Sequence, residues 1–147
     1  MLDSPLTHPD ILTALGRAGH GSRILIADGN YPASTTMPVT ASLVSLNLRK
    51  GTVLVTEVLE AITAVTPVEA AYVMAPDTAG EYAADDPDIW PEFRRILDHA
   101  GARVELERLE RFAFYEASGA PDIALVVATG EPRLYANIIL QVGVVSP

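Results

Sequence analysis

Two kinds of hydrophobic pattern alternate along the chain. Six short runs rich in apolar residues predict strands, at 24–27, 41–46, 70–75, 102–106, 123–128 and 138–142. Four stretches carry apolar residues at helical spacing and predict helices, at 9–16, 56–65, 91–100 and 111–117. Strands that alternate with helices indicate an α/β layered domain. No repeat, low-complexity tract or linker interrupts residues 1–147, so we expect a single domain.

Polar residues and prolines predict where these elements begin and end. Thr56 is suited to cap the helix that follows it, and Pro67 ends that region. Segment 31–38, which holds two prolines and several hydroxyl side chains, is expected to be a loop. The acidic stretch 77–88 is expected to be a longer loop. Its carboxylates lack the spacing of an EF-hand, which favours a solvated surface over a calcium site.

The first strand is flanked by two residues whose side chains could take part in catalysis or ligand binding. His20 precedes it between Gly19 and Gly21, which leave the imidazole unshielded and permit a tight turn. Asp28 follows it at the mouth of a loop, where α/β proteins tend to bind ligands. A histidine in a Gly-His-Gly turn is more often structural than functional, so this motif alone assigns no activity.

Composition narrows the class of partner. Of the 147 residues 49% are hydrophobic and 20% are charged, which is typical of a folded globular chain. The formal net charge of −9 argues against nucleic acid or an anionic membrane as a partner and is compatible with a neutral polar ligand. The chain has no cysteine, no apolar stretch long enough to span a bilayer and no basic start of a signal peptide. We therefore expect a cytoplasmic protein.

Several chemistries are disfavoured by the residues present. Arg49-Lys50-Gly51-Thr52 lacks the spaced glycine of a phosphate-binding loop, and the glycines near His20 precede a strand, unlike a dinucleotide fingerprint. The three histidines lack ligand spacing, so no metal site is predicted. No Gly-x-Ser-x-Gly nucleophile elbow occurs either. A histidine, carboxylates, tyrosines and hydroxyls remain, and they suit proton transfer on a neutral substrate.

A set of short motifs covers nearly the whole chain and resembles the family of D-ribose pyranases and L-fucose mutarotases. The motifs run in the family's order and end with Gly143. They are Gly19-His20-Gly21, Ala27-Asp28, Pro32, Asp88-Ile89-Trp90, Arg111-Phe112-Ala113-Phe114-Tyr115-Glu116, Thr129-Gly130-Glu131 and Tyr135-Ala136-Asn137-Ile138-Ile139-Leu140.

The resemblance implies a fold, an assembly and a reaction. The fold is a three-layer α/β/α domain with a mixed, mostly parallel sheet, assembled as a ring-like homodecamer. The reaction is the interconversion of cyclic forms of free monosaccharides without a cofactor. The implied site residues are the proton donor His20, the sugar-binding Asp28, the sugar-contacting Arg111, and the closing contact of Tyr135, Ala136 and Asn137.

The chemistry of mutarotation suits these residue types. One group protonates the ring oxygen of the hemiacetal while another removes the anomeric proton, and the free aldehyde then recloses on its other face. Imidazole titrates near neutrality, and positioned acid–base catalysis contributes about 10²–10⁴-fold. We assign His20 as the acid and Asp28 as a hydroxyl anchor or an orienter of the imidazole. Arg111 and Asn137 would bind sugar hydroxyls, and the sequence leaves the base open.

A strand over 23–27 separates His20 from Asp28 by roughly 16 Å or more at about 3.3 Å per residue. Both therefore contact one small sugar only if the chain bends sharply at Gly21 or a neighbouring subunit completes the pocket. We favour the shared pocket.

Different motifs favour different sugars as the substrate. Arg111, where ribose enzymes tend to have histidine, favours L-fucose or a related deoxyhexose. The layout of residues 45–51 and the alanine of Tyr135-Ala136-Asn137 depart from the fucose branch, so D-ribose pyranase is the alternative. A non-catalytic sugar-binding accessory module is the second alternative. Phe112, Phe114 and Tyr115, at helical spacing, are expected to pack rather than bind.

Overall fold

A computed structural model describes residues 1–81 and 83–147. The helices are α1 (Pro9–Arg17), α2 (Ala33–Thr36), α3 (Val55–Thr63), α4 (Ile89–His99) and α5 (Arg111–Ser118). The strands are β1 (Arg23–Ala27), β2 (Ser42–Ser45), β3 (Val68–Met74), β4 (Leu106–Leu109), β5 (Ile123–Ala128) and β6 (Ile138–Val142).

The strands form one six-stranded sheet in the order β2-β5-β1-β6-β3-β4. β5 pairs in parallel with β1 and β2, and β3 pairs in parallel with β4. β6 lies antiparallel between β1 and β3. The two ends of β6 therefore lie beside opposite ends of β1, with Ile138 opposite Ile26 and Gln141 opposite Arg23.

Helices cover both faces of the sheet. α1, α3 and α4 pack on one face, where Phe93 and Leu59 lie among inward-pointing strand residues such as Ile24. The shorter α2 and α5 cover part of the other face, where Phe114 packs with Leu25. The predicted three-layer α/β/α fold with a mixed, mostly parallel sheet is confirmed. One face is thus closed by three helices, while the other leaves room for a cavity beside α5.

Local predictions were wrong at three places. The strand expected at 102–106 lies at Leu106–Leu109, where its residues pair with Ala71–Met74 of β3. The loop expected at 31–38 contains α2. The N-cap of α3 is Leu54 rather than Thr56, because the carboxylate of Glu57 accepts the Leu54 backbone N–H at 2.7 Å.

The acidic loop at 77–88 extends across residue 82, which lies outside the described residues. In the described part of the chain, no group of three or more His, Asp or Glu side chains is arranged to hold a metal ion. Over the same residues, no helix combines the length and apolarity needed to cross a membrane.

Candidate functional site

Asp28 forms the centre of a polar cluster at the carboxyl end of β1. Its backbone N–H donates to Oδ1 of Asn137 at 2.8 Å, and Nδ2 of Asn137 donates back to Asp28 Oδ2 at 2.8 Å. The Asn30 backbone N–H donates to Asp28 Oδ1 at 2.9 Å. Asp28 and Asn137 are only 5% and 3% exposed, so these contacts fix the carboxylate in place.

The surroundings of Asp28 act on its acidity in opposite directions. Burial raises the pKa of Asp28 above its ordinary value, and hydrogen bonds from Asn30, Ala136 and Asn137 partly offset this rise. The carboxylate thus has the donors that keep it in one orientation, and it remains a strong acceptor for a hydroxyl group when ionised.

Arg111 and Tyr135 complete the cluster from two other elements. Arg111 is the first residue of α5, and Tyr135 lies in the turn before β6 with a positive φ of 55°. Together with Asp28 and Asn137 they line an open cavity of about 180 Å³. A left-handed backbone at a bulky residue is uncommon and indicates that the turn around Tyr135 is held by its neighbours.

Three tyrosines line this cavity, and one of them, Tyr115, belongs to α5. Phe114 is buried as expected, but Tyr115 lines the cavity and stacks on Tyr31 with ring centres 5.5 Å apart. Phe112 is 73% exposed, and Leu134, another lining residue, is 66% exposed. Leu134 is therefore an exposed apolar side chain in the wall of the cavity, and Phe112 is another, adjacent in sequence to the lining residue Arg111.

An ion pair supports the loop that follows β5. The carboxylate of Glu131, whose side chain is fully buried, accepts from Nε of Arg133 at 2.8 Å and from Nη2 at 3.0 Å. Arg133 Nη1 also donates to Glu92 of α4 at 2.6 Å. The carbonyl of Glu131 accepts the Gly29 N–H at 2.9 Å, so this pair stiffens the loop directly after Asp28.

His20 lies at the opposite end of β1. Its Nε2 is 3.0 Å from both carboxylate oxygens of Glu69, the residue after the first position of β3. Nε2 of Gln141, on β6, donates to Glu69 Oε1 at 2.7 Å. The His20 side chain is 60% exposed and borders an open cleft of about 380 Å³.

The predicted site residues thus fall into two groups. Asp28, Arg111, Tyr135 and Asn137 line one cavity, with Ala136 fully buried beside them, whereas β1 separates His20 from this cluster. Within one chain the carboxylate that contacts His20 is Glu69, and Asp28 does not orient it. Sequence reasoning missed Glu69 because only the register of β3 against β6 brings it beside His20.

Comparison with known proteins gives matches over most of the chain. The model of the RbsD / FucU transport protein family matches residues 1–145. A fucose mutarotase of Homo sapiens is 36% identical, and the match covers 96% of this chain and 91% of that protein. A fucose mutarotase of Danio rerio is 34% identical, with coverage of 95% and 90% respectively.

Two solved structures share the fold. The fucose mutarotase from Streptococcus pneumoniae, crystallised in complex with L-fucose, has a TM-score of 0.82 and 31% identity, covering 99% of this chain and 100% of that chain. The Bacillus subtilis RbsD complexed with D-ribose has a TM-score of 0.75 and 25% identity, with the same coverage. The chain therefore belongs to the RbsD / FucU transport protein family, which confirms the resemblance predicted from its motifs.

Proposed function

We propose that the chain is a cofactor-independent monosaccharide mutarotase, an isomerase that interconverts the anomers of L-fucose or a related sugar. The observation that carries this proposal is the cavity in which Asp28, Arg111, Tyr135 and Asn137 meet. Relatives named fucose mutarotase support the reaction, and the Streptococcus pneumoniae structure in complex with L-fucose supports the sugar. Residues 1–147 act as one domain in this proposal, consistent with their single sheet.

The cavity offers a neutral sugar complementary hydrogen-bonding groups. Asp28 accepts from sugar hydroxyls, and the guanidinium of Arg111 donates to them, as does the phenol of Tyr135. Asn137 is already committed to Asp28 through both its amide atoms, so its main contribution is to hold that carboxylate. These hydrogen bonds can orient the bound sugar even though it carries no net charge.

His20 carries the proton in the proposed reaction. Its imidazolium donates a proton to the ring oxygen as the bond from the anomeric carbon to that oxygen breaks. The anomeric hydroxyl loses its proton to a base or to water and becomes the carbonyl of the free aldehyde. Rotation and reclosure reverse these transfers and return the proton to His20.

The distance between His20 and Asp28 requires a pocket shared by two copies of the chain. Apolar residues are exposed at both ends, with Phe112 and Leu134 beside the Asp28 cavity and Val144 and Val145 beyond β6. If the His20 end of one copy contacts the Asp28 end of another, these apolar side chains are covered. His20 of the first copy then lies beside the sugar bound by the second. The homodecamer implied by the family resemblance repeats such a contact around a ring, and native mass spectrometry tests its size.

Complementation tests the shared pocket directly. His20→Ala and Arg111→Ala are each expected to abolish exchange, and both positions are exposed enough for the variants to fold. If each site draws on two copies, a mixture unfolded and refolded together regains roughly a quarter of the intact sites by random assembly. A co-refolded mixture as inactive as its parents places each site within one chain.

Saturation-transfer NMR on equilibrated sugar tests the activity. The wild-type chain should accelerate exchange between anomers, and His20→Ala should abolish the acceleration while sugar binding persists. Binding without exchange in the wild type instead indicates a sugar-binding accessory module. Parallel runs with L-fucose, D-ribose and D-galactose identify the substrate.

D-ribose pyranase activity is the second candidate. Similarity to the Bacillus subtilis RbsD complexed with D-ribose favours it, as does the ribose-like layout of residues 45–51. Reclosure of the aldehyde through a different hydroxyl converts a pyranose to a furanose with the same acid. The cytoplasmic location stays a prediction from the sequence, and cell fractionation tests it.

A further inference from the structure

A second cleft, of about 450 Å³, opens at the edge of the sheet where β1, β2 and β5 end. These three strands run parallel, so their carboxyl ends lie side by side, at the place where α/β sheets bind ligands. The cleft is lined by Asn30 after β1, by Arg49 and Lys50 after β2, and by Glu131 after β5. We propose that this cleft binds a phosphate group, carried by a phosphorylated sugar or present as free phosphate. The cleft is distinct from the Asp28 cavity of the proposed function, although Asn30 lines both.

Arg49 and Lys50 bring two positive charges to the cleft. Both side chains are exposed, and neither forms an ion pair with a carboxylate in the part of the chain that the structure describes. By contrast, Arg108 and Arg133 lie within hydrogen-bond distance of carboxylate oxygens. In a chain with a formal net charge of −9, two adjacent cations without such partners form a local positive site that favours an anion.

Glu131, the acidic residue that lines the cleft, is already compensated by a cation. Its side chain is fully buried, and its carboxylate accepts from Nε and Nη2 of Arg133 at 2.8 and 3.0 Å. Its charge therefore opposes a bound anion only weakly. The exposed amides of Asn30 and Asn47, which also line the cleft, add N–H donors for phosphate oxygens.

The turn that carries both cations is fixed against the loop after β5. The Gly51 N–H donates to the Gly130 carbonyl at 2.7 Å, and the Gly130 N–H donates to the Val53 carbonyl at 2.8 Å. Gly130 lies so close to the turn that a side chain there would collide with the carbonyl oxygens of Arg49 and Thr52. Because the backbone is held in place, binding orders mainly the two cationic side chains, and this lowers its entropic cost.

The size and lining of the cleft limit the class of phosphate compound. Its volume of about 450 Å³ falls within the range of small-molecule pockets, about 300–1,000 Å³, and leaves room for a polar group attached to the phosphate. No aromatic side chain lines the cleft among the described residues, so a nucleotide base lacks a stacking surface. Amide groups, which both donate and accept, instead suit hydroxyl groups. A phosphorylated sugar therefore fits better than a nucleotide, and the guanidinium of Arg49 is suited to bind two phosphate oxygens.

Lys50 permits a test at one residue, because it is the single lysine of the chain. The full chain is treated with a limiting amount of an acetylating N-hydroxysuccinimide ester, and peptide mass spectrometry measures acetylation of Lys50 against that of the terminal amine. The reaction is run alone and with D-ribose 5-phosphate, inorganic phosphate or D-ribose. We expect the phosphate compounds to slow the acetylation of Lys50 severalfold at saturation and D-ribose to leave it unchanged.

Two matched double variants test whether the contact is specific. Arg49→Gln/Lys50→Gln removes both cations of the cleft. Arg94→Gln/Arg95→Gln removes two adjacent exposed arginines of α4 and changes the net charge equally. In isothermal titration calorimetry, the first variant should bind D-ribose 5-phosphate about 10–100-fold more weakly than the wild type, because charge-assisted contacts are lost. The second variant should bind it as the wild type does, and circular dichroism checks that both fold.

The two phosphate compounds distinguish the source of the ligand. Tighter binding of D-ribose 5-phosphate identifies a phosphorylated sugar, whereas equal or tighter binding of inorganic phosphate identifies the free anion, and either result supports the site. An unprotected Lys50 in the presence of both compounds, or equal affinity in the two double variants, overturns the inference. None of these readouts uses exchange between anomers, so failure of this site is distinguishable from failure of the proposed function.

Discussion

Replacement of Asn137 by alanine tests the polar cluster around Asp28. The substitution removes both hydrogen bonds that join the two residues, each 2.8 Å long, and leaves the backbone N–H and one carboxylate oxygen of Asp28 without those partners. Because both residues are almost completely buried, the loss acts on groups that water reaches poorly.

The expected cost follows from these two bonds. A hydrogen bond to a charged group contributes about 1.5–3 kcal/mol and a neutral one about 0.5–1.5 kcal/mol. Their sum is about 2–4.5 kcal/mol, and we expect the lower half of this range because the truncated side chain leaves space at the edge of the cavity that a water molecule can fill. The free energy of unfolding should therefore fall by about 2–3 kcal/mol.

The variant should also change how stability depends on pH. Burial already raises the pKa of Asp28, and the Asn137 bond is one of the contacts that oppose this rise, so its loss should raise that pKa further. A raised pKa means that the folded state binds the proton more tightly than the unfolded state. Stability lost at neutral pH is thus partly recovered as the pH falls through the folded pKa of Asp28.

Urea denaturation at a fixed protomer concentration measures both effects, since assembly makes apparent stability depend on concentration. Asn47→Ala, at an exposed asparagine, is the matched control and should change stability by less than about 0.5 kcal/mol. Asn137→Ala with wild-type stability at pH 7, or with a loss that does not shrink in acid, refutes the reasoning.

Three further substitutions test the loop that follows β5 and the helix α1. Arg133→Met leaves the buried carboxylate of Glu131 unpaired and should cost about 2–3 kcal/mol at pH 7, below the 3–5 of a fully buried pair because Arg133 is partly exposed. Burial acts to raise the pKa of Glu131, and Arg133 outweighs it and holds that pKa low; without Arg133 the carboxyl takes up a proton more readily, so the difference in stability should shrink as the pH falls from 7 to 4. An equal loss at pH 7 and pH 4 in urea denaturation contradicts this. Gly130→Ala should destabilise by about 1–3 kcal/mol because its Cβ would collide with the carbonyl oxygen of Arg49. Gly16→Ala, in a helix with open space around it, should instead stabilise by about 0.5–1 kcal/mol, and thermal unfolding of the two variants checks the opposite signs.

The parts of the fold that the sequence predicts well are those with continuous apolar runs. β1, β5 and β6 lie within a residue of their predicted bounds, because strands covered on both faces must be apolar along their whole length. β4 was misplaced because it is an edge strand that pairs only with β3. Its alternating pattern extends over more residues than those that form hydrogen bonds, and only the register against β3 selects Leu106–Leu109.

Some residues of the candidate site are marked by their local sequence, and others are identified only by long-range strand pairing. Asp28 was predicted as a site residue because a carboxylate directly after a buried strand is a local signal, and the family resemblance pointed to Asn137 through its Tyr-x-Asn motif. Glu69 has no comparable signal, since nothing near it in sequence marks it as a partner of a histidine 49 residues away. That pairing depends on the insertion of β6 between β1 and β3.

The antiparallel β6 strand lies beside both groups of predicted site residues. At the carboxyl end of β1, Asn137 precedes β6 and binds Asp28; at the amino end, Gln141 of β6 donates to Glu69, which contacts His20. The strands hold these ends roughly 16 Å or more apart, and a paired strand inside a sheet cannot bend to close that gap. Under the proposed function, a sugar that contacts both His20 and Asp28 therefore has to lie between two copies, so we expect the proposed activity to depend on assembly.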